Sequence, residues 1–172
     1  MRRGLLALMV GLSLVVLAGC DFGWSTMSWE PKGGAHHRFT IRYPDFMENQ
    51  EKVPGADPNR LVACLTTPMK TVREVPGIVF VTWISMKPGD TLEKVATAAT
   101  GPIKWQQVTV DGHPALRGKS KIPGEIIVTS VFIQPRGSRE LFMVRLTPGF
   151  PESERFTQHY DEIIKSIRLR KA

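Results

Sequence analysis

Asp111-Gly112 stands between two runs that alternate apolar and polar residues, Trp105 to Val110 and Pro114 to Lys119. An Asp-Gly link between such runs is a strong β-hairpin signal, because both residues accept the positive φ that a type I′ turn demands. His113 lengthens the link slightly. A second pair of runs, Glu125 to Gln134 and Arg139 to Thr147, flanks Pro135-Arg136-Gly137-Ser138, which reads as another hairpin. Parallel neighbours need a crossover of about a dozen residues or more, and these links are far shorter. The middle of the chain is therefore expected to be an antiparallel sheet.

The flanking segments supply further strands and two helices. In Arg38 to Tyr43, Phe39, Ile41 and Tyr43 share one face, which predicts a half-buried strand ended by Pro44. Residues 44–59 carry Pro44, Pro54, Gly55 and Pro58 and read as a long loop with room for one helical turn. Arg60 to Thr66 is a second strand. Ile78 to Met86 is apolar on both faces and predicts a central strand covered on both sides. Asp90-Thr91-Leu92-Glu93 resembles a capping box with Asp in first place. Leu92, Val95, Ala96 and Ala99 then follow at helical spacing, and Gly101 stops the helix. Near Ser153 to Leu169, Phe156, Tyr160, Ile163, Ile164 and Ile167 form the apolar stripe of a last helix. The order predicts an α+β domain, an antiparallel sheet with helices packed on it.

The N-terminus predicts an address. Arg2 and Arg3 precede an almost wholly apolar run from Leu5 to Ala18, shorter than the roughly 20 residues a spanning helix needs. The run closes on Leu17-Ala18-Gly19-Cys20, which resembles the lipobox of bacterial lipoproteins. That resemblance implies a signal peptide over residues 1–19, cleavage before Cys20, and a diacylglycerol on the Cys20 thiol. Asp21 directly follows. In enterobacterial lipoproteins an Asp at that place resembles the signal that retains a protein in the inner membrane. The expected location is a cell membrane, lipid-anchored and facing periplasm or exterior, the inner membrane where the host has two. Residues 20–37 read as lipidated Cys and flexible tether, and residues 38–172 as the folded domain. Phe22, Trp24 and Trp29 in the tether suit either a membrane–water interface or docking on the domain.

Cleavage would leave 172 − 19 = 153 residues and lower the formal charge from +7 to 7 − 2 = +5. That length suits one domain with a real core. The modest positive balance is far from the clustered basic stripe of a nucleic-acid binder, so no nucleic-acid partner is expected. With Cys20 lipidated, Cys64 has no disulfide partner. Its setting, Leu61-Val62-Ala63-Cys64-Leu65, predicts a buried structural thiol.

The domain resembles the PsbP/DcrB group, which also includes the yeast Ran-binding Mog protein. The resemblance rests on Phe39-Thr40-Ile41-Arg42-Tyr43-Pro44, on Val108 to Ala115, and on Phe156 with Ile163-Ile164-Lys165-Ser166-Ile167-Arg168. It implies an α-β-α sandwich and a non-enzymatic envelope or membrane-complex accessory, and it carries over no catalytic residue.

Chemical motifs are sparse. His36, His37, His113 and His159 form no metal-ligand spacing, and no nucleophile elbow, P-loop or dinucleotide fingerprint occurs. Glu152/Glu154 and Asp161/Glu162 suit a helix start or a solvated face. No enzyme activity, cofactor or metal is expected. Arg117, Lys119 and Lys121 fall at i, i+2, i+4 and would share a strand face, with Arg168, Arg170 and Lys171 adding charge at the C-terminus. They read either as a patch for anionic headgroups or an acidic partner, or as a solvated sheet edge where cations discourage pairing. Function is expected to be non-catalytic protein binding at the membrane surface, through the lipid anchor. The other reading is a small-molecule or lipid site between sheet and helix.

Overall fold

The computed structural model describes residues 23–32, 35–69, 75–124, 126–149 and 156–172. The signal peptide, Cys20, Asp21, Phe22 and the Glu152/Glu154 pair lie outside the described residues. Ten strands run in chain order: β1 (Trp24–Trp29), β2 (His37–Pro44), β3 (Glu48–Asn49), β4 (Leu61–Thr66), β5 (Ile78–Ser85), β6 (Trp105–Val110), β7 (His113–Ile122), β8 (Ile126–Ile133), β9 (Glu140–Thr147) and β10 (Arg168–Lys171). Helix α1 (Leu92–Thr100) lies between β5 and β6, and α2 (Tyr160–Ser166) between β9 and β10. The fold is α+β and wholly antiparallel in its described pairings.

The strands form two sheets. Seven line up as β3-β4-β5-β9-β8-β7-β6, and three as β1-β2-β10. Neighbouring residues of one strand enter different cores, which shows that both faces of the large sheet are covered. Ala115, Val131, Ile133 and Phe142 pack with β2 and α2 residues such as Phe39, Ile41, Ile163 and Ile167. Leu116, Phe132 and Leu141, one step along, pack instead with Ala96 of α1 and Met86. The period-2 side-chain alternation of a strand produces this division. The small sheet and α2 thus lie on one face, and α1 on the other.

The predicted hairpins form. Asp111 and Gly112 have φ of 50° and 79°, and Val110 pairs directly with His113, so the turn has two residues and His113 belongs to β7. Asp111 also does something its turn role does not require. Its side chain is largely buried, and Oδ2 accepts from the Leu169 amide and from Arg170 Nη1, each at 2.8 Å. The turn of the large sheet therefore holds β10 of the small one. At the β8–β9 connection, buried Glu140 takes the His36 amide on one carboxylate oxygen and His37 Nδ1 on the other. Two acidic residues clamp the small sheet to the large one.

Several expectations are corrected. The segment read as tether contains β1, fully paired with β2 from Trp24↔Pro44 to Trp29↔Phe39. Its Trp29 is buried, edge-on to Phe142 at 6.3 Å, so it docks on the domain rather than at a membrane. Trp24 is half-buried, with the Arg42 guanidinium 5.8 Å from its ring centre. The last helix ends at Ser166, and Arg168–Lys171 pair with β2, because Leu169 reaches the core only from an extended backbone. The α1 cap is Thr91, whose side chain accepts from the Lys94 amide at 3.2 Å. Asp90 instead accepts from the Lys87 amide and pairs with Lys94. The two faces of the central strand β5 are covered unequally: Val79, Val81 and Trp83 are buried, while on the other face Phe80 and Ile84 are half-exposed, with Ile84 packed against the core that buries Met86. Residues 44–59 form the expected loop, which also holds the short strand β3 and closes on one helical turn, where the Leu61 amide donates to the Asp57 carbonyl at 2.9 Å. Cys64 is buried as expected, and desolvation pushes its thiol above the ordinary range.

Candidate functional site

β7 places Arg117, Lys119 and Lys121 on one face, as their spacing predicts. β7 lies between β6 and β8, but β6 pairs only as far as Gly118, so Lys119 and Lys121 lie on a stretch of β7 that β6 does not cover, as the edge reading expects, whereas Arg117 pairs with Gln106 of β6. Their face is the one that α2 covers. Ala115 is buried, Arg117 half-buried and Lys119 exposed, so cover ends along the strand where the helix ends.

At that margin a cleft of about 510 Å³ opens between β7–β8 and α2. Pockets for small ligands span roughly 300–1,000 Å³. Arg117, Lys119 and Thr129 contribute from the strands, Tyr160 and Asp161 from the helix side, and Ile127 lies in the wall although 52% exposed. Arg117 is held by Asp161, Nη2 to Oδ1 at 2.7 Å. No ion pair involves Lys119 among the described residues. Tyr160 is 5% exposed, and its hydroxyl is buried without a hydrogen-bond partner. Desolvation pushes the phenol far above its ordinary range, so it stays protonated and keeps a donor to give. Such an unpaired buried polar group costs about 1–3 kcal/mol.

The sequence marks Tyr160 only as one member of an apolar stripe, edge-on to Phe156 at 4.9 Å. A hydroxyl among Phe and Ile residues is the one signal that could have singled it out. Asp161 reads as a helix-start acid, yet it reaches across to β7. The expected site between sheet and helix therefore has a cleft, but its lining is mixed rather than broadly apolar. A second hollow of about 680 Å³, near Leu92, Glu93, Gln107 and Arg136, has no comparable unpaired buried side chain.

The histidines are engaged structurally. His37 meets Glu140. His159 lies beside Trp24, centroid to centroid 5.9 Å, and 3.6 Å from the Glu162 carboxylate. His113 Nδ1 accepts from the Arg136 amide at 3.1 Å. Burial lowers the His113 pKa below 6.5, and the cations around it act the same way, against the pull of Asp111. A depressed histidine contributes stability that is complete above the unfolded value and is lost as pH falls through the folded one. An NMR titration should place its midpoint below 6.5; a midpoint above that value would contradict the burial. Among the described residues no group of three His, Cys, Asp or Glu is placed to hold a metal ion, and no helix is long and apolar enough to cross a membrane.

No protein-family model and no curated protein matches the sequence. Solved structures do match in fold. LpqN of Mycobacterium tuberculosis, described as involved in cell envelope biogenesis, superposes with a TM-score of 0.54 at 12% identity, over 87% of this chain and 93% of that one. The cyanobacterial PsbP, CyanoP, of Synechocystis sp. PCC 6803 gives 0.52 at 13% identity, over 86% and 92%. The fold is PsbP-like.

Proposed function

We propose that this chain is a non-catalytic cell-envelope lipoprotein, anchored at Cys20 and acting as a binding or accessory module at the membrane surface. The observation that carries the reading is a lipobox-like tetrapeptide at the head of a domain that shares its fold with an envelope-biogenesis protein. Each buried methylene contributes about 0.8 kcal/mol and two acyl chains anchor stably, so the domain is tethered without spanning. Asp21 favours the inner membrane in a diderm host. The partner class is an envelope protein within reach of the anchor.

Membrane fractionation with fatty-acid labelling tests this. Wild-type protein should carry label and sediment with membranes. Cys20→Ala should carry none, and should either remain as precursor or be released. Equal labelling of the two would overturn the assignment. On a density gradient from a diderm host, Asp21→Ser should shift protein toward the outer membrane, and an unmoved distribution would remove the sorting role.

A second reading, a binding module for a small molecule or lipid, is favoured by the cleft between β7–β8 and α2.

A further inference from the structure

The cleft carries more chemistry than its size. Two cations reach it from alternate positions of one strand, and among the described residues a single acid, Asp161, faces them. Asp161 occupies one side of the Arg117 guanidinium at Nη2. A guanidinium has five N–H donors in a planar fork, so donors remain for a ligand oxygen. Lys119 is exposed and lies two residues further along the same face. Tyr160 adds a buried hydroxyl without a partner in a side chain that lines the cleft.

An apolar wall accompanies these groups. Ile126 and Ile127 start β8, Pro148 follows β9, and all three line the same cleft. Ile127 is one of the few large apolar side chains that the described domain leaves exposed. Cationic donors beside exposed apolar surface suit a molecule with an anionic head and a hydrocarbon part. A free inorganic anion would leave the isoleucines unused. A neutral amphiphile would leave Lys119 without a counter-charge.

We infer that the cleft between β7–β8 and α2 is a binding site for a small anionic amphiphile. Arg117 and Lys119 hold its carboxylate or phosphate, and Ile126, Ile127 and Pro148 take its chain. This rests on the second reading above and specifies its ligand class. Arg117 and Asp161 preorganise the head site, since their ion pair fixes the guanidinium before a ligand arrives.

The full chain in phosphatidylcholine nanodiscs, with empty nanodiscs as reference, tests the assignment by equilibrium dialysis. Octanoate and octyl phosphate represent the two head chemistries, octanol the neutral chain, and inorganic phosphate the bare anion. Saturable binding of one octanoate or octyl phosphate per chain is expected, with octanol and inorganic phosphate each at least tenfold weaker. Whichever head binds more tightly identifies the carboxylate or phosphate source. The double variant Arg117→Gln, Lys119→Gln should lose at least tenfold in affinity for the anionic probes. Tyr160→Phe, which removes the unpaired hydroxyl, should raise the melting temperature and leave binding of the probes unchanged, because that hydroxyl has no accessible surface in the cleft. Octanol binding as tightly as octanoate would overturn the anionic head while leaving a lipid-binding reading intact. Inorganic phosphate binding as tightly as octyl phosphate would overturn the amphiphile. Absence of saturable binding to any probe would remove the cleft as a site and the second reading with it.

Discussion

Phe142→Ala should cost the domain about 3–5 kcal/mol, the range for truncating a buried Phe. Phe142 has 0% exposure and sits where the two sheets meet. Its ring stacks on Phe39 of β2, centroids 5.3 Å apart, and meets Trp29 of β1 edge-on. One truncation would therefore open contacts on the large sheet and on two strands of the small one. Domains of this size are stable by roughly 5–15 kcal/mol in total, so much of the margin goes. Urea titration followed by tryptophan fluorescence measures the effect. Phe142→Leu, which keeps most of the volume, should cost far less. A loss below about 1 kcal/mol for Phe142→Ala would show that this seam does not hold the sheets together.

Glu140→Ala should be the second large loss, and it should be local. Glu140 is 4% exposed and is the acceptor for both the His36 amide and the His37 ring. The His37 ring, 13% exposed, would lose its acceptor at about 1–3 kcal/mol, and the part-buried His36 amide would add less. The strain falls on the start of β2, whereas β9 keeps its pairing with β5 and β8. Hydrogen exchange should accelerate over residues 36–39 and stay slow over residues 141–146. Glu140→Gln retains one carbonyl oxygen and should lie between. Equal acceleration across both segments would mean that Glu140 supports the whole core rather than the joint between sheets.

The sequence made the local rules visible and hid the assembly. Asp111-Gly112 is legible because backbone sterics tie that dipeptide to one turn type. Phe39, Ile41 and the stripe from Phe156 to Ile167 are legible because each repeats at the period of its element, and all are buried or nearly so. β10 leaves almost no trace: of Arg168, Leu169, Arg170 and Lys171 only Leu169 is apolar, and one residue has no period. β1 lies among glycines, a proline and small polar residues, so the buried Trp29 gives no pattern by itself. That β2 leaves the large sheet is also unreadable, since strand patterns report faces and not neighbours. Both clamps depend on residues distant in sequence. Asp111 bonds Leu169 and Glu140 meets His37, pairings that no local spacing encodes. The cleft follows the same rule. Arg117 and Lys119 were visible as a pair, but Tyr160 and Asp161 join them only through the packing of α2.

The pairing of β1 with β2 sets a stand-off height. A flexible coil over residues 20–37 would let the domain roam by about 25 Å. With β1 starting at Trp24, an anchor at Cys20 leaves four Cα steps, which span about 14 Å at most when fully drawn out. Under the proposed anchoring the domain would be held close to the bilayer, because β1 is paired with β2 from Trp24 onward. Trp24 pairs with Pro44, so the proposed anchor would hold that end of β2 nearest the lipid. Lys171 pairs with His37 at the opposite end, seven steps or about 24 Å along the strand. With that anchor the end of β10 would lie at the far end of β2 from the attachment, where a fused reporter would leave the anchored end clear.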